Sequence, residues 1–305
     1  MLKPKRGVIL VFLGPAVLFY ALIFLYPTIR TALMSFFHVV VVSDPISKWT
    51  FNGFDNYKFI FLNQNVFINS MKNMVSLWLF GGIGVMVIAL IFAVILTGSH
   101  MRGVNFFRSA IYLPYTVSAV AMGTMWLNYV YNPEYGLLHN VLYFLGFKTA
   151  SMTNWTAPGI KLWSMIVAYS FGMVGYHMII FMSGIEQIPS DYHDQAKIDG
   201  ANVVQRFRNV TVPFIKGVTR TNIVMWTVFT VAFFVWGQVF SPINLSNDTV
   251  LPMNYMYTIV FGTQSAANVI RDAGAGAAVG VCMMLTVVVV FFATSLLTRK
   301  DDTEI

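Results

Sequence analysis

The sequence predicts an all-α membrane protein with six transmembrane helices. Of its 305 residues, 57% are apolar and 10% are charged, whereas a soluble domain carries about 45–50% apolar and about 25% charged residues. Too few polar residues remain to cover a soluble surface, which excludes a disordered chain, a coiled coil and almost any soluble enzyme. Six stretches without Lys, Arg, Asp or Glu have the length that a membrane-spanning helix needs: 7–26, 74–97, 110–130, 162–182, 223–240 and 275–297. We therefore expect one transmembrane domain over residues 1–305.

The first span begins like a secretory signal peptide. Lys3, Lys5 and Arg6 precede its apolar run. The run ends in Phe-Leu-Tyr-Pro at residues 24–27, where a cleavage site would have small residues. We expect an uncleaved signal anchor.

The distribution of basic residues predicts the orientation in the membrane. With the N-terminus inside, 12 of the 19 Lys and Arg residues fall in cytoplasmic segments and 7 in outer segments. Basic residues are enriched in cytoplasmic loops, so both termini are predicted to be cytoplasmic. The net charge of +7 is then mostly a topology signal, and we expect the lipid bilayer, not nucleic acid, as the surrounding partner.

The spans contain few groups that could do chemistry. Their main ionisable side chain is His177, and ion-coupled pumps usually need intramembrane carboxylates or histidine relays. A hydrogen bond between helices explains a single histidine better than a proton relay does. Contact with a polar solute ranks between these two explanations. The sequence has no zinc-protease, serine-hydrolase or phosphate-loop motif, and its single Cys282 excludes a disulfide within the chain. We expect a transport subunit that is not an enzyme, holds no metal or cofactor, and takes its energy from another protein.

The loop between spans four and five, residues 186–220, is the longest and most charged cytoplasmic segment. Ser190 is predicted to cap a first short helix, and Gly200 to end it in a left-handed conformation. Asn202 is predicted to cap a second helix, and Pro213 to end the loop before span five. One apolar face of the second helix, expected to pack against the loop's supporting helices, consists of Val203, Val204 and Phe207.

Two roles fit a pair of short helices on a membrane surface. The pair could lie among lipid headgroups, or it could dock a cytoplasmic protein. The first helix carries three acids, Asp191, Asp194 and Asp199, against the single basic Lys197. Anionic headgroups would repel this charge, which favours a protein partner.

This loop resembles the EAA loop of permease subunits from binding-protein-dependent ABC importers. That pattern is Glu-Ala-Ala, three residues, Gly, nine residues, then Ile-x-Leu-Pro. Here Asp194-Gln195-Ala196 is followed after three residues by Gly200, and nine residues later by Val-Thr-Val-Pro at 210–213. Asp194 keeps the charge of the family's Glu, whereas the bulkier Gln195 replaces an Ala. The flanking Ile-Pro at 188–189 and Ile-Asp-Gly-Ala at 198–201 are typical of the carbohydrate branch.

The resemblance extends along nearly the whole chain. Residues 12–16 (FLGPA), 51–57 (FNGFDNY) and 113–114 (LP) are similar to the first permease subunit of maltose- or glycerol-phosphate-type importers. Residues 241–245 (SPINL) depart from the Thr-x-Gly-Gly-Pro that this branch often carries after span five. The outer loop after span one is too short for the extra outer domain of some members.

The resemblance implies a type I ABC importer permease in a prokaryotic cytoplasmic membrane. It implies a second homologous permease subunit, a dimer of ATP-binding subunits that holds ATP and Mg, and an extracytoplasmic solute-binding protein. The implied task is import of a sugar or oligosaccharide. Import of glycerol phosphate or another small polar solute is the alternative, and a self-contained secondary transporter is less favoured. The residues implied in coupling to the ATPase are Asp194, Gln195, Ala196, Asp199, Gly200, Ala201 and Pro213.

The solute pathway of this family lies between the permease subunits on spans four to six. Polar and aromatic side chains there could hold a sugar by hydrogen bonds and by stacking on its C–H faces, although aromatic residues in spans more often serve as packing residues or interface anchors. The candidates are Ser170, Tyr176, His177, Trp226, Thr230, Trp236 and Gln238. Since the spans contain no Arg or Lys, a neutral solute is favoured over an anionic one.

Overall fold

A computed structural model describes residues 6–63, 65–98, 103–241, 247–262 and 271–298. The α-helices are α1 (Arg6–Tyr20), α2 (Tyr26–Met34), α3 (Asp55–Lys58), α4 (Asn65–Ser76), α5 (Gly82–Gly98), α6 (Val104–Thr116), α7 (Ala119–Met125), α8 (Leu137–Phe144), α9 (Lys148–Ser151), α10 (Lys161–Ile185), α11 (Ser190–Ile198), α12 (Val203–Arg206), α13 (Val212–Phe214), α14 (Lys216–Val231), α15 (Val235–Phe240), α16 (Pro252–Phe261) and α17 (Ala273–Thr298). Five-residue π-helical segments are Ala21–Leu25, Phe59–Asn63, Leu77–Gly81, Trp126–Val130 and Phe207–Thr211, and Ile46–Lys48 is a 3₁₀ turn. Of the sequence features interpreted above, Lys3, Lys5, Arg102, Arg299, Lys300 and the 242–245 part of the SPINL segment lie outside the described residues.

Four of the predicted spans coincide with long apolar helices. Each of these helices is long and apolar enough to cross a bilayer: Val11–Met34, Asn65–Gly98, Lys161–Ile185 and Ala273–Leu296. The first two run through the π-helical segments Ala21–Leu25 and Leu77–Gly81. They overlap the predicted spans 7–26, 74–97, 162–182 and 275–297.

The other two predicted spans are interrupted. Span 110–130 is bent by 95° between α6 and α7, because α6 ends just after Pro114 and the hydroxyl of Ser118 caps the N-terminus of α7. Span 223–240 is divided by a turn at 232–234 into α14 and α15. The six-span topology stays a prediction.

One compact unit consists of residues 1–68 and 255–285. Within it, strands β1 (Phe37–His38) and β2 (Thr50–Phe51) form an antiparallel hairpin, with Phe37 opposite Phe51. The buried Asn56 donates hydrogen bonds to the carbonyls of Ser35 and Phe37 at 3.0 and 2.9 Å. The carbonyl of Val39 accepts the N–H of Ala273 at 2.8 Å, which ties the segment after β1 to the start of α17.

The second unit consists of residues 69–254 and 286–305, and α10 runs through its core. Small residues let helices approach α10 and α14 closely, as is usual for packing in membranes. A Cβ added at Gly184 would clash with Val218 of α14, and one added at Gly175 would lie 2.6 Å from the Cα of Tyr112 in α6. The C-terminal end of α10 leads directly into the charged loop.

Candidate functional site

The first helix of the loop is α11, and none of its residues is buried. Pro189, not Ser190, occupies the N-cap position, so the predicted capping role of Ser190 is wrong. The extended backbone of Pro189 (φ −57°, ψ 135°) sets the entry to the helix, and Ser190 is already its first helical residue. A proline at this position needs no backbone donor, since the first N–H groups of a helix have no partner within it.

A tight turn follows α11, as the sequence predicts. Gly200 has φ +77°, in the left-handed region that favours glycine. Its N–H donates to the carbonyl of Lys197 at 3.0 Å, and the N–H of Ala201 donates to Ala196 at 2.9 Å. These two crossed bonds form a Schellman motif, which satisfies the last carbonyls of the helix.

The second helix begins at once with a capping box. The side chain of Asn202 accepts the N–H of Gln205 at 2.9 Å, and the side chain of Gln205 accepts the N–H of Asn202 at 2.8 Å. The helix continues from Val203 through the π-helical segment to Phe214. Pro213 lies in its last turn and is exposed.

The charged groups of α11 partly neutralise each other. Lys197 donates to Asp194 at 2.7 Å across one turn of the helix. This hydrogen bond, together with the charge of Lys197, holds the pKa of the Asp194 carboxyl below its usual range. Gln195 and Asp199 are exposed beside this pair, whereas Ala196 and Ala201 are half-buried.

Three apolar residues near the turn of the loop are exposed. Val203 and Val204 are 67% and 71% exposed, so the expectation that they pack against supporting helices is wrong; only Phe207 is partly buried. Ile198, at the end of α11, is 86% exposed. These three residues, Ile198, Val203 and Val204, surround the Gly200 turn, and we call them the apolar tip. An apolar surface rimmed by charges is typical of a protein interaction site.

Among the predicted pathway residues, Trp226 is a packed residue of the core. Its indole N–H donates to the carbonyl of Trp78 at 2.9 Å. It lies in a notch left by two glycines, because a Cβ at Gly82 would be 2.6 Å from its nitrogen and one at Gly81 would be 3.0 Å from its ring. Trp226 therefore joins α14 to the Asn65–Gly98 helix.

An aromatic cluster joins four of the predicted residues. Tyr169 contacts Trp226 and Trp236, with ring centroids 5.5 and 5.6 Å apart. Tyr176 contacts His177 at 5.1 Å, and His177 contacts Trp226 at 5.8 Å. Tyr169 is not among the predicted pathway residues, although it lies two helical turns from Tyr176 and so on the same face of α10.

A buried polar pair links α10 and α14. Nδ1 of His177 lies 2.6 Å from Oδ1 of Asn222, and both side chains are fully buried. Since an amide oxygen only accepts, Nδ1 is assigned the proton. This matches the favoured explanation of His177 as a hydrogen-bonded residue between helices. Asn222 was missed, because one amide in a span gives no signal without its partner.

Several polar atoms of this region have no protein partner within the described residues. Four side chains of α10 and α14 that are buried or half-buried have hydrogen-bonding atoms without a protein partner in the described part of the chain: Ser170 Oγ, His177 Nε2, Asn222 Nδ2 and Thr230 Oγ1. Unpartnered buried polar groups are costly, so such a row needs water or a ligand. Gln238, the last predicted residue, is half-buried in α15. The described residues hold no group of three side chains that could bind a metal.

The comparisons with known proteins agree on one family. The family described as "Binding-protein-dependent transport system inner membrane component" matches residues 86–300. The arabinooligosaccharides transport system permease protein AraP of Bacillus subtilis (strain 168) is 26% identical over 286 residues, which are 94% of this chain and 87% of that protein.

Solved structures share the fold. A chain of a bacterial ABC transporter involved in the import of the acidic polysaccharide alginate superposes with a TM-score of 0.79 and 18% identity, covering 97% of this chain and 96% of that one. A bacterial alginate ABC transporter in complex with an alginate pentasaccharide-bound periplasmic protein gives a TM-score of 0.76 and 19% identity over the same shares.

Proposed function

The chain belongs to the family of inner membrane components of binding-protein-dependent transport systems, and from this membership we propose that it imports a sugar or oligosaccharide. It is a membrane-spanning permease subunit of an importer and not an enzyme. In the proposed complex it pairs with a second, homologous permease subunit. A dimer of ATP-binding subunits holds ATP and Mg and drives transport, and an extracytoplasmic solute-binding protein delivers the sugar.

The observation that carries the coupling part of the proposal is the exposed, self-capped loop. The Schellman motif at Gly200 and the capping box at Asn202 fix the angle between its two helices without help from another protein. The apolar tip and the Asp194–Lys197 pair are left on the outside. A surface that is rigid, apolar at its centre and charged at its rim suits insertion into a cleft of an ATPase.

We assign the residues of this loop distinct roles. Asp194, which Lys197 keeps in its carboxylate form, pairs with a cationic group of the ATPase. Gly200 makes the turn. Gln195, Ala196, Asp199 and Ala201 line the same surface, and Pro213 ends the second helix before α14. This assignment requires a cytoplasmic loop and thus cytoplasmic N- and C-termini, as the basic residues predict.

The solute assignment rests on the chemistry of spans four to six. Aromatic rings with open hydroxyl, amide and imidazole groups beside them suit a neutral polyhydroxyl compound. One similar protein is named for the transport of arabinooligosaccharides, and one similar structure belongs to a transporter that imports the acidic polysaccharide alginate. Glycerol phosphate or another small polar solute is the second candidate, but the predicted spans four to six, 162–182, 223–240 and 275–297, contain no Lys or Arg that could pair with an anionic solute.

Affinity purification from native membranes tests the proposal. The tagged chain, extracted in mild detergent, should bring with it a second permease, an ATPase and a binding protein, each identified by mass spectrometry. Screening that binding protein against a sugar panel by thermal shift should name the solute. A chain that elutes alone or only with copies of itself would overturn the assembly, and a binding protein that takes glycerol phosphate but no sugar would overturn the solute.

A further inference from the structure

A groove between the inner ends of α6 and α10 has no role in the function described so far. It has a volume of about 300 Å³, which is at the lower end of the size range of small-molecule sites. Its walls include Arg108, Ser109, Tyr112, Ile179, Ser183 and Glu186.

The groove is lined mostly by apolar surface, and the few polar groups in its walls are electrically balanced. Arg108 of α6 donates to Glu186, at the end of α10, at 2.7 Å. The hydroxyls of Ser109 and Ser183 each donate to a carbonyl of their own helix, at 3.0 and 2.8 Å. Their oxygens therefore face a ligand as acceptors, while the guanidinium of Arg108 remains a donor with several N–H groups.

The walls of the groove are held in place by close helix packing. Gly175 lets the backbones approach, since a Cβ there would lie 2.6 Å from the Cα of Tyr112. Residues spaced by three or four along α10 share a face, which places Ser183 and Glu186 below Tyr176. The groove is thus formed before any ligand binds.

Aromatic rings connect the groove to the predicted solute pathway. The ring of Tyr112 is 5.5 Å from that of Tyr115, and Tyr115 is 4.8 Å from Tyr176. Tyr176 in turn contacts His177 of the buried pair. The rings form a continuous series from mid-span to the groove beside the coupling loop.

We propose that this groove is an exit subsite, where a sugar ring stacks on Tyr112 and its hydroxyls bind Arg108, Glu186 and Ser183 as it leaves toward the cytoplasm. The proposal rests on the proposed function. A lipid phosphate is the competing ligand of such a groove, but the pairing of Arg108 with Glu186 leaves no net positive charge to attract it. A sugar offers both donors and acceptors, which matches the mixed set of groups.

Transport by the complete complex in proteoliposomes tests the subsite, with tritiated arabinotriose and maltotriose as probes. Ser183→Trp fills the groove and Tyr112→Ala removes the stacking face. Each should lower the maximal import rate about tenfold, as expected for loss of one well-placed contact, while ATP hydrolysis stimulated by the binding protein persists. The controls are Tyr112→Phe, which keeps the ring, and Val167→Trp, which adds the same bulk on the opposite face of α10; both should import normally.

The outcomes separate the two proposals. Normal import by Tyr112→Ala would overturn the subsite alone, as would an equal loss of import and ATP hydrolysis, which indicates a structural role. If Ser183→Trp imports normally but loses a bound phospholipid in native mass spectrometry, the groove holds a headgroup and the subsite is wrong. If the unaltered complex imports neither probe, nor any sugar that its binding protein takes, the carbohydrate function falls and the subsite with it.

Discussion

The ring of Tyr192, in the first helix of the loop, lies 4.8 Å from the ring of Phe214, in the last turn of the second helix. This contact closes the loop at the end opposite to the Gly200 turn. The two helices are therefore held at both ends, by backbone hydrogen bonds at one and by an aromatic pair at the other. Movement of the loop as one body follows from this arrangement.

Tyr192→Ala should weaken this closure without changing the apolar tip or the Asp194–Lys197 pair. Aromatic pairs contribute about 0.5–1.5 kcal/mol beyond their buried area. We expect faster amide exchange over 190–198 and a lower yield of transport per ATP hydrolysed. A double-mutant cycle with Phe214→Ala is the check, and additive effects of the two changes would argue against the pairing.

Gly200→Ala should uncouple ATP hydrolysis from import. The added Cβ finds open space, but φ +77° strains any L side chain, at a cost of about 1–2 kcal/mol. Gly217→Ala is the matched control, because Gly217 also has open space around its Cβ position and lies in regular helix. Normal coupling in Gly200→Ala, measured as sugar imported per ATP in proteoliposomes, would mean that the turn is not needed for transmission.

The Asp194 carboxyl should keep its charge under mildly acidic conditions. Its pKa in the folded chain is lowered by Lys197, so the benefit of the pair is present above the unfolded pKa and is lost as pH falls through the lowered one. Lys197→Gln should therefore move the acidic limb of the transport profile to higher pH. Asp194→Asn should lower the transport rate and remove the acidic limb of its pH profile. An unchanged profile in both variants would exclude Asp194 from coupling.

Gly82→Ala should destabilise the permease in detergent. The new methyl group would lie 2.6 Å from the indole nitrogen of the buried Trp226, which has no room to shift. Overpacking of this kind costs roughly 1–3 kcal/mol. Gly84→Ala, on the same helix with nothing within 4 Å of the new atom, should leave the melting temperature unchanged. Equal melting temperatures for both variants would show that the notch is not tightly packed.

The His177–Asn222 pair should be more sensitive to loss of one partner than of both. Removal of one leaves a buried polar group unpartnered, at a cost of about 1–3 kcal/mol, whereas an apolar pair of similar shape can be nearly neutral. We expect His177→Leu alone to lower thermal stability more than His177→Leu with Asn222→Leu. If the double variant is less stable than His177→Leu alone, His177 and Asn222 are not each other's main hydrogen-bond partners.

The sequence predicted best what local rules determine. The left-handed turn at Gly200 and the cap at Asn202 follow from residue type and spacing, and both are present. Ser190 was misassigned because Pro189 before it competes for the same position. The family pattern located the coupling loop at residues 186–220, and its role in coupling stays a prediction.

What the sequence could not predict depends on contacts between distant segments. The outward direction of Val203 and Val204 is decided by where α12 emerges from its cap, not by their apolar character. Asn222 gains its significance only from His177, 45 residues away. The notch for Trp226 needs Gly81 and Gly82 from another helix. Sequence patterns point to single residues, whereas these features depend on contacts between two residues that are distant in the sequence.

The back-to-back caps between Ala196 and Gln205 have a thermodynamic consequence for each transport cycle. A loop that ordered only on contact would lose chain entropy, about 1–2 kcal/mol per residue fixed, whenever its partner closed on it. Here the turn is already ordered by its own hydrogen bonds. In the proposed complex, association with the ATPase then needs only rigid-body docking, so more of the free energy of nucleotide binding would remain available to move the helices.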